Sequence, residues 1–226
     1  MAKKESVKKD PEQKTNQQGN ARRPSWISEK ALDIIKLILG ICFLPFVYSS
    51  TVSFLGQIKS IGSLLQGYFW SGVIAFILIY LFVFELQWVY ERGHKILEFI
   101  FSFFQPLLKV GPYLLPIYTI VVLLAYLILV VFIKESWLIN YTVFFLGLSI
   151  ALHLIFTSKA IRLKKGDLLR SNYIFSFSFI YIIDLGLLAL ILNIIIPHFS
   201  FVDFCSNTGS IAGGVFKAVF LQLFRV

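Results

Sequence analysis

Apolar residues in this chain run in blocks rather than in stripes. An α-helix crosses the ~30 Å hydrocarbon core of a bilayer with about 20 predominantly apolar residues. Five blocks meet that length: residues 32–55, 68–90, 112–133, 138–156 and 173–196. Pro45 predicts a kink in the first block, and Pro106, Pro112 and Pro116 make a proline-rich entry to the third. The stretch 211–226 is apolar but shorter than a span. On a helix, Lys217, Gln222 and Arg225 fall on one side and Val215, Phe216, Val219, Phe220, Leu223 and Phe224 largely on the other. That pattern predicts an interfacial helix on the external surface.

The fold expected is all-α: a polytopic membrane helix bundle of about five transmembrane helices plus a short C-terminal interfacial helix. Residues 1–30 read as a disordered basic tail, 31–204 as the five-span domain, and 205–226 as an external loop followed by the interfacial helix. The tail is too polar to bury a core of its own. Its length and acidic residues (Glu5, Asp10, Glu12) fit neither a secretory signal nor a mitochondrial presequence. No internal repeat is visible in the spans, which weakens an inverted-repeat transporter reading.

Composition strengthens the membrane reading. The 226 residues are 58% hydrophobic and only 15% charged, against about a quarter charged in an ordinary soluble domain. Mean hydropathy is +0.80.

The net charge of +9 needs its distribution before it means anything. Eight of the 21 Lys and Arg lie in the first 30 residues, and five more between Lys159 and Arg170. With the N-terminal tail in the cytoplasm, cytoplasmic segments outside the spans hold 16 of them and external segments four. The alternation follows the positive-inside rule, and such clusters also touch anionic headgroups. Membrane lipids are therefore the expected partners. A nucleic-acid partner is not, because no aromatic platform accompanies the basic residues. Cys42 and Cys205 lie at opposite ends of this topology, and neither has a neighbouring cysteine for a metal or redox motif.

Ionisable groups within spans are costly and therefore worth following. Asp33 and Lys36 open the first block, Glu85 and Gln87 lie in the second, His153 in the fourth and Asp184 in the middle of the fifth. Gln87, Glu91, His94 and Glu98 share one helical face, and His94 and Glu98 are i,i+4 neighbours. That spacing lets two side chains share one metal ion, and it equally suits a solvated His–Glu pair beside a Glu91–Lys95 pair. His153 falls one turn from the cytoplasmic end of its span, at a depth like that of His94, with Asp167 in the following loop. His153 also suits a helix–helix hydrogen bond. Asp184 has to be protonated, paired or turned to a cavity.

Gly93-His94-Lys95-Ile96-Leu97-Glu98 resembles the Gly-His-Glu-x-x-His helix end of site-2-protease-like integral-membrane zinc metallopeptidases. Further stretches are similar to small bacterial proteins assigned to that class. They are Leu44-Pro45-Phe46-Val47-Tyr48, Gly111-Pro112-Tyr113 through Thr119, Ala151-Leu152-His153 through Thr157, and Lys165-Gly166-Asp167-Leu168 leading to Phe175-Ser176. They occur in the family's order over roughly residues 37–204. The resemblance implies a bacterial inner-membrane protein in which two histidines hold zinc and the intervening Glu activates the metal-bound water.

Here the Glu position is Lys95, a cation at neutral pH that cannot take a proton from water. The second His position is Glu98, which can still ligate through oxygen. The resemblance therefore implies a degenerate, catalytically silent member that binds another membrane protein or a peptide and needs no cofactor. Two alternatives stay open. One is a residual zinc peptidase with His94, Glu98 and either His153 or Asp167 as ligands and Glu91 as base. The other is a small transporter or channel subunit that uses Asp184 and Glu85.

Overall fold

In the computed structural model the chain is described over residues 26–82, 87–101, 111–133, 135–163 and 173–224. Every element among these residues is helical: α1 (Trp26–Ser60), α2 (Ser63–Phe82), α3 (Gln87–Phe101), the single turn α4 (Gly111–Leu114), α5 (Ile117–Phe132), α6 (Trp137–Leu163), α7 (Tyr173–Ile195) and α8 (Phe201–Phe224). Four of them, over Ile34–Ser60, Ser63–Phe82, Trp137–Arg162 and Tyr173–Ile195, are long and apolar enough to cross a bilayer. The shorter apolar helix α5 joins them. The protein is a multi-pass helical membrane bundle.

Its surface is arranged for lipid. Ile34, Leu44, Ile74, Leu81, Leu124 and Ile128 are among the large apolar side chains that stay exposed, while Ser49, Ser50, Thr119, Thr157, His153 and Asp184 are buried. A water-soluble fold would reverse this. In hydrocarbon, polar groups have to find partners inside the protein. The Ser49, Ser50 and Thr51 hydroxyls donate to the carbonyls of Phe46, Val47 and Val47, one turn back in α1. These bonds supply helix-internal partners just after Pro45, whose ring removes one backbone donor. Between helices, Thr51 meets the Tyr181 hydroxyl at 2.9 Å and Thr119 meets Ser149 at 3.0 Å.

Helix bounds depart from the hydropathy pattern where local chemistry overrides it. α1 begins at Trp26, inside the tail expected to be unstructured, because Glu29, Lys30 and Ala31 are good helix formers that extend the helix beyond the membrane. Residues 1–25 lie outside the described residues. The third block is broken at Leu115–Pro116, with Pro116 preceding the first residue of α5; a proline ring clashes with the carbonyl four residues back. α8 starts ten residues before the apolar stretch at 211. Pro197 follows the end of α7, and the Ser200 hydroxyl accepts the Asp203 N–H at 3.1 Å, an N-cap. The Asn193 side chain accepts the Phe201 N–H at 3.0 Å and the Gln57 side chain accepts the Ser200 N–H at 3.2 Å. The segment expected to be an external loop is thus the first half of a 24-residue helix that packs along α1.

Small residues set the helix spacing. α2 packs chiefly on α6. A Cβ built on Gly72 would lie 1.9 Å from the Phe144 carbonyl oxygen, and one on Gly147 2.2 Å from that of Phe69. No side-chain adjustment can relieve a clash with backbone. Gly72→Ala and Gly147→Ala are each expected to destabilise the bundle by about 1–3 kcal/mol, the usual cost of overpacking. Gly67→Ala, which meets nothing within 4 Å, should not destabilise and gains helix propensity. Reversible unfolding in mixed detergent, followed by Trp fluorescence, measures all three.

Candidate functional site

The candidate residues of α3 sit on a helix pinned to the bundle at close range. A Cβ on Gly93 would approach the Tyr118 ring to 2.7 Å and Ile117 to 2.9 Å, so only glycine lets α3 meet the start of α5 here. The Tyr118 hydroxyl donates to the Val89 carbonyl. Tyr90, buried, stacks on Phe156 with centroids 5.5 Å apart and shares a 3.1 Å hydrogen bond with Thr157 of α6.

These contacts leave a pocket of about 270 Å³ between α3, α4 and α6. Tyr90, Tyr113 and Phe156 form its aromatic walls, and Glu91, Lys95, Glu98 and Lys159 its charged lining. His94 stands among them, its ring 4.6 Å from that of Tyr113 and 5.9 Å from that of Tyr90. His94 Nε2 lies 3.4 Å from Glu98 Oε1, which makes the i,i+4 pair a side-chain contact.

His153 faces Asp184. Its Nε2 lies 3.5 Å from Asp184 Oδ2 on α7 and 3.4 Å from the Thr157 hydroxyl. Its ring also hydrogen-bonds the Tyr113 backbone. Asp184 has no exposed surface, and neither carboxylate oxygen has a hydrogen bond among the described residues. His153 is therefore its facing polar partner. A charge at this depth costs several kcal/mol, so Asp184 is held as a neutral carboxyl or through the proton it can share with His153.

Three candidates expected at one depth are thus sorted into two pairs, His94–Glu98 at the pocket and His153–Asp184 behind it. Tyr90 and Thr157 stand between the pairs. Both carried a readable signal, because each is i±4 from a candidate histidine and so shares its face. Tyr113 and Lys159, from other segments, carried none. Glu85 and Asp167 lie outside the described residues, as does the Gln87 side chain. Glu91 lines the pocket one turn before His94.

A catalytic zinc ion takes three protein ligands at about 2.0–2.3 Å in near-tetrahedral array. Among the described residues no three His, Cys, Asp or Glu side chains form such a group. His94 and Glu98 supply two donors, with the Lys95 and Lys159 cations lining the same pocket.

The buried pair yields a test. His153→Leu removes the partner of Asp184 and is expected to destabilise the fold more than the double change His153→Leu/Asp184→Leu. A double-mutant cycle read by detergent unfolding should give a coupling of about 0.5–2 kcal/mol, the range for intramembrane polar pairs. A coupling near zero would remove the pair from the interactions that hold the helices.

Neither a family model, nor a curated protein, nor a solved structure matches this chain.

Proposed function

We propose that this protein is a non-catalytic binding protein of the bilayer, with the pocket beside α3 as its ligand site. The cytoplasm is the proposed side for residues 1–30, and a segment of another membrane protein or a membrane peptide is the ligand class. The observation that carries this reading is the pocket's lining. Aromatic walls from Tyr90, Tyr113 and Phe156 suit an apolar chain, while His94, Glu91, Glu98, Lys95 and Lys159 offer both donors and acceptors for an interrupted backbone.

Catalytic silence rests on the chemistry of Lys95. The resemblance to site-2-protease-like enzymes puts a general base at that position, and an ammonium group cannot accept the proton. Glu91 lies at the pocket but one turn away along α3, where it replaces the missing base only with a different geometry. The pairing of His153 with Asp184 further separates the histidines into different tasks. The relay reading of Asp184 is supported less, because the carboxylate is fully buried against His153. A conducting site needs a hydrated approach.

The test uses the purified full-length protein in nanodiscs with single-span peptides whose helices are broken by Pro or Gly. A photoreactive amino acid at Lys95, exposed on α3 and lining the pocket, is expected to form peptide adducts. The same probe at the lipid-facing Ile74 should not. His94→Ala and Tyr113→Ala should each lower adduct yield on the order of tenfold, about 1.4 kcal/mol. No peptide should be cleaved, with or without added zinc. Stoichiometric bound zinc, with peptide cleavage abolished by His94→Ala, overturns the reading.

A further inference from the structure

We infer that α8 crosses the bilayer as a sixth spanning helix, so that residue 224 lies on the same side of the membrane as the start of α1.

The course of α8 along α1 is the first support. At the external hairpin, Ser200 contacts Gln57 and the Ser60 hydroxyl meets the His198 carbonyl at 3.4 Å. Phe199 lies against Phe54, ring centroids 6.1 Å apart. Seventeen residues later Phe216 meets Phe46 at 5.6 Å. Phe46 stands 14 residues before the external end of α1, about 21 Å along the axis at ~1.5 Å per residue. A helix lying on the external surface cannot reach that depth. The eight residues after Phe216 add about 12 Å, which brings Phe224 near the level of Ile38, four residues from Ile34, where the apolar part of α1 begins. All 24 residues together span about 36 Å, more than the ~30 Å hydrocarbon thickness.

The second support is chemical. Phe204 and Ala212 are buried, while Phe216, Val219, Phe220, Leu221, Leu223 and Phe224 expose apolar surface around the second half of α8. An interfacial helix keeps one polar face wet; the far half of α8 has little to offer water. Its single cation, Lys217, stands about 10 Å from Phe224 and can extend its ammonium toward the cytoplasmic headgroups.

Third, the crossing improves the charge distribution. It moves Lys217 and Arg225 to the cytoplasmic side and leaves only Lys59 and Lys134 outside among the 21 basic residues. The first half of α8 carries Asn207, Thr208 and Ser210, so α8 is not among the four helices apolar enough to cross by length and composition alone. Packing along α1 compensates, and the Thr208 hydroxyl donates to the Phe204 carbonyl at 2.7 Å.

The full-length chain tests this in intact cells. In a Cys42→Ser/Cys205→Ser background, Lys30→Cys, Lys59→Cys and Val226→Cys are each treated with a membrane-impermeant maleimide. Lys59→Cys should label at once, and Lys30→Cys and Val226→Cys only after permeabilisation. If Lys30→Cys and Val226→Cys both label while Lys59→Cys is protected, the overall orientation is inverted and the crossing still stands. Val226→Cys labelling together with Lys59→Cys, with Lys30→Cys protected, overturns it. A nitroxide at Ala218, exposed on the face of α8 shared with Lys217 and Gln222 that an interfacial helix would keep wet, gives an independent reading in the purified protein. Collision with oxygen well above collision with a water-soluble nickel complex supports the crossing, and the opposite ratio places α8 at the surface and refutes it.

Discussion

Inside a bilayer a polar group has no water to fall back on, and the contact between Asp184 and His153 is where this structure answers that constraint most sharply. A fully buried carboxylate faces an imidazole at 3.5 Å, and the imidazole in turn reaches Thr157 and the Tyr113 backbone. Three segments, α4, α6 and α7, are drawn together by one side chain. The same rule operates at lower stakes elsewhere. Hydroxyls on α1 return to their own helix, and Thr51–Tyr181 and Thr119–Ser149 tie neighbouring helices. The apolar surface left outside then needs nothing further from the protein.

With lipid as apolar as leucine, hydrophobic burial cannot bring helices together, and close packing has to. This explains the glycines at the tightest crossings. Gly72 and Gly147 let α2 and α6 approach to backbone contact, and Gly93 lets α3 meet the aromatic start of α5. Gly93 sits immediately before His94, so the residue that makes the motif look like a metal site also performs a packing task. That dual reading shows why a short motif says little about chemistry until its neighbours are known.

At the pocket, the ionisable residues balance one another. His94 faces Glu98, and Glu91, Lys95 and Lys159 line the same opening. This mixed lining is the chemistry on which the proposed binding role rests. The positions nearest the pocket lie on α3, whose amphipathic character sets it apart from the uniformly apolar spans.

The chain's own pattern determined the membrane class, four long spans and a fifth apolar helix, because a block of apolar residues is a local property that needs no knowledge of its neighbours. It also singled out His153 and Asp184, because an ionisable group within an apolar block is conspicuous wherever it ends up, and His94 and Glu98 through their shared helical face. The i,i+4 contact of His94 and Glu98 followed from helical geometry alone. The early start of α8 was written in Pro197, Ser200 and Asp203, a local capping signal outweighed by the apolar stretch further on. Only the tertiary structure decided that His153 meets Asp184, and that α8 runs along α1. Both depend on contacts between residues 31 and 170 positions apart in sequence. No periodicity within a single helix specifies which neighbour its faces will meet.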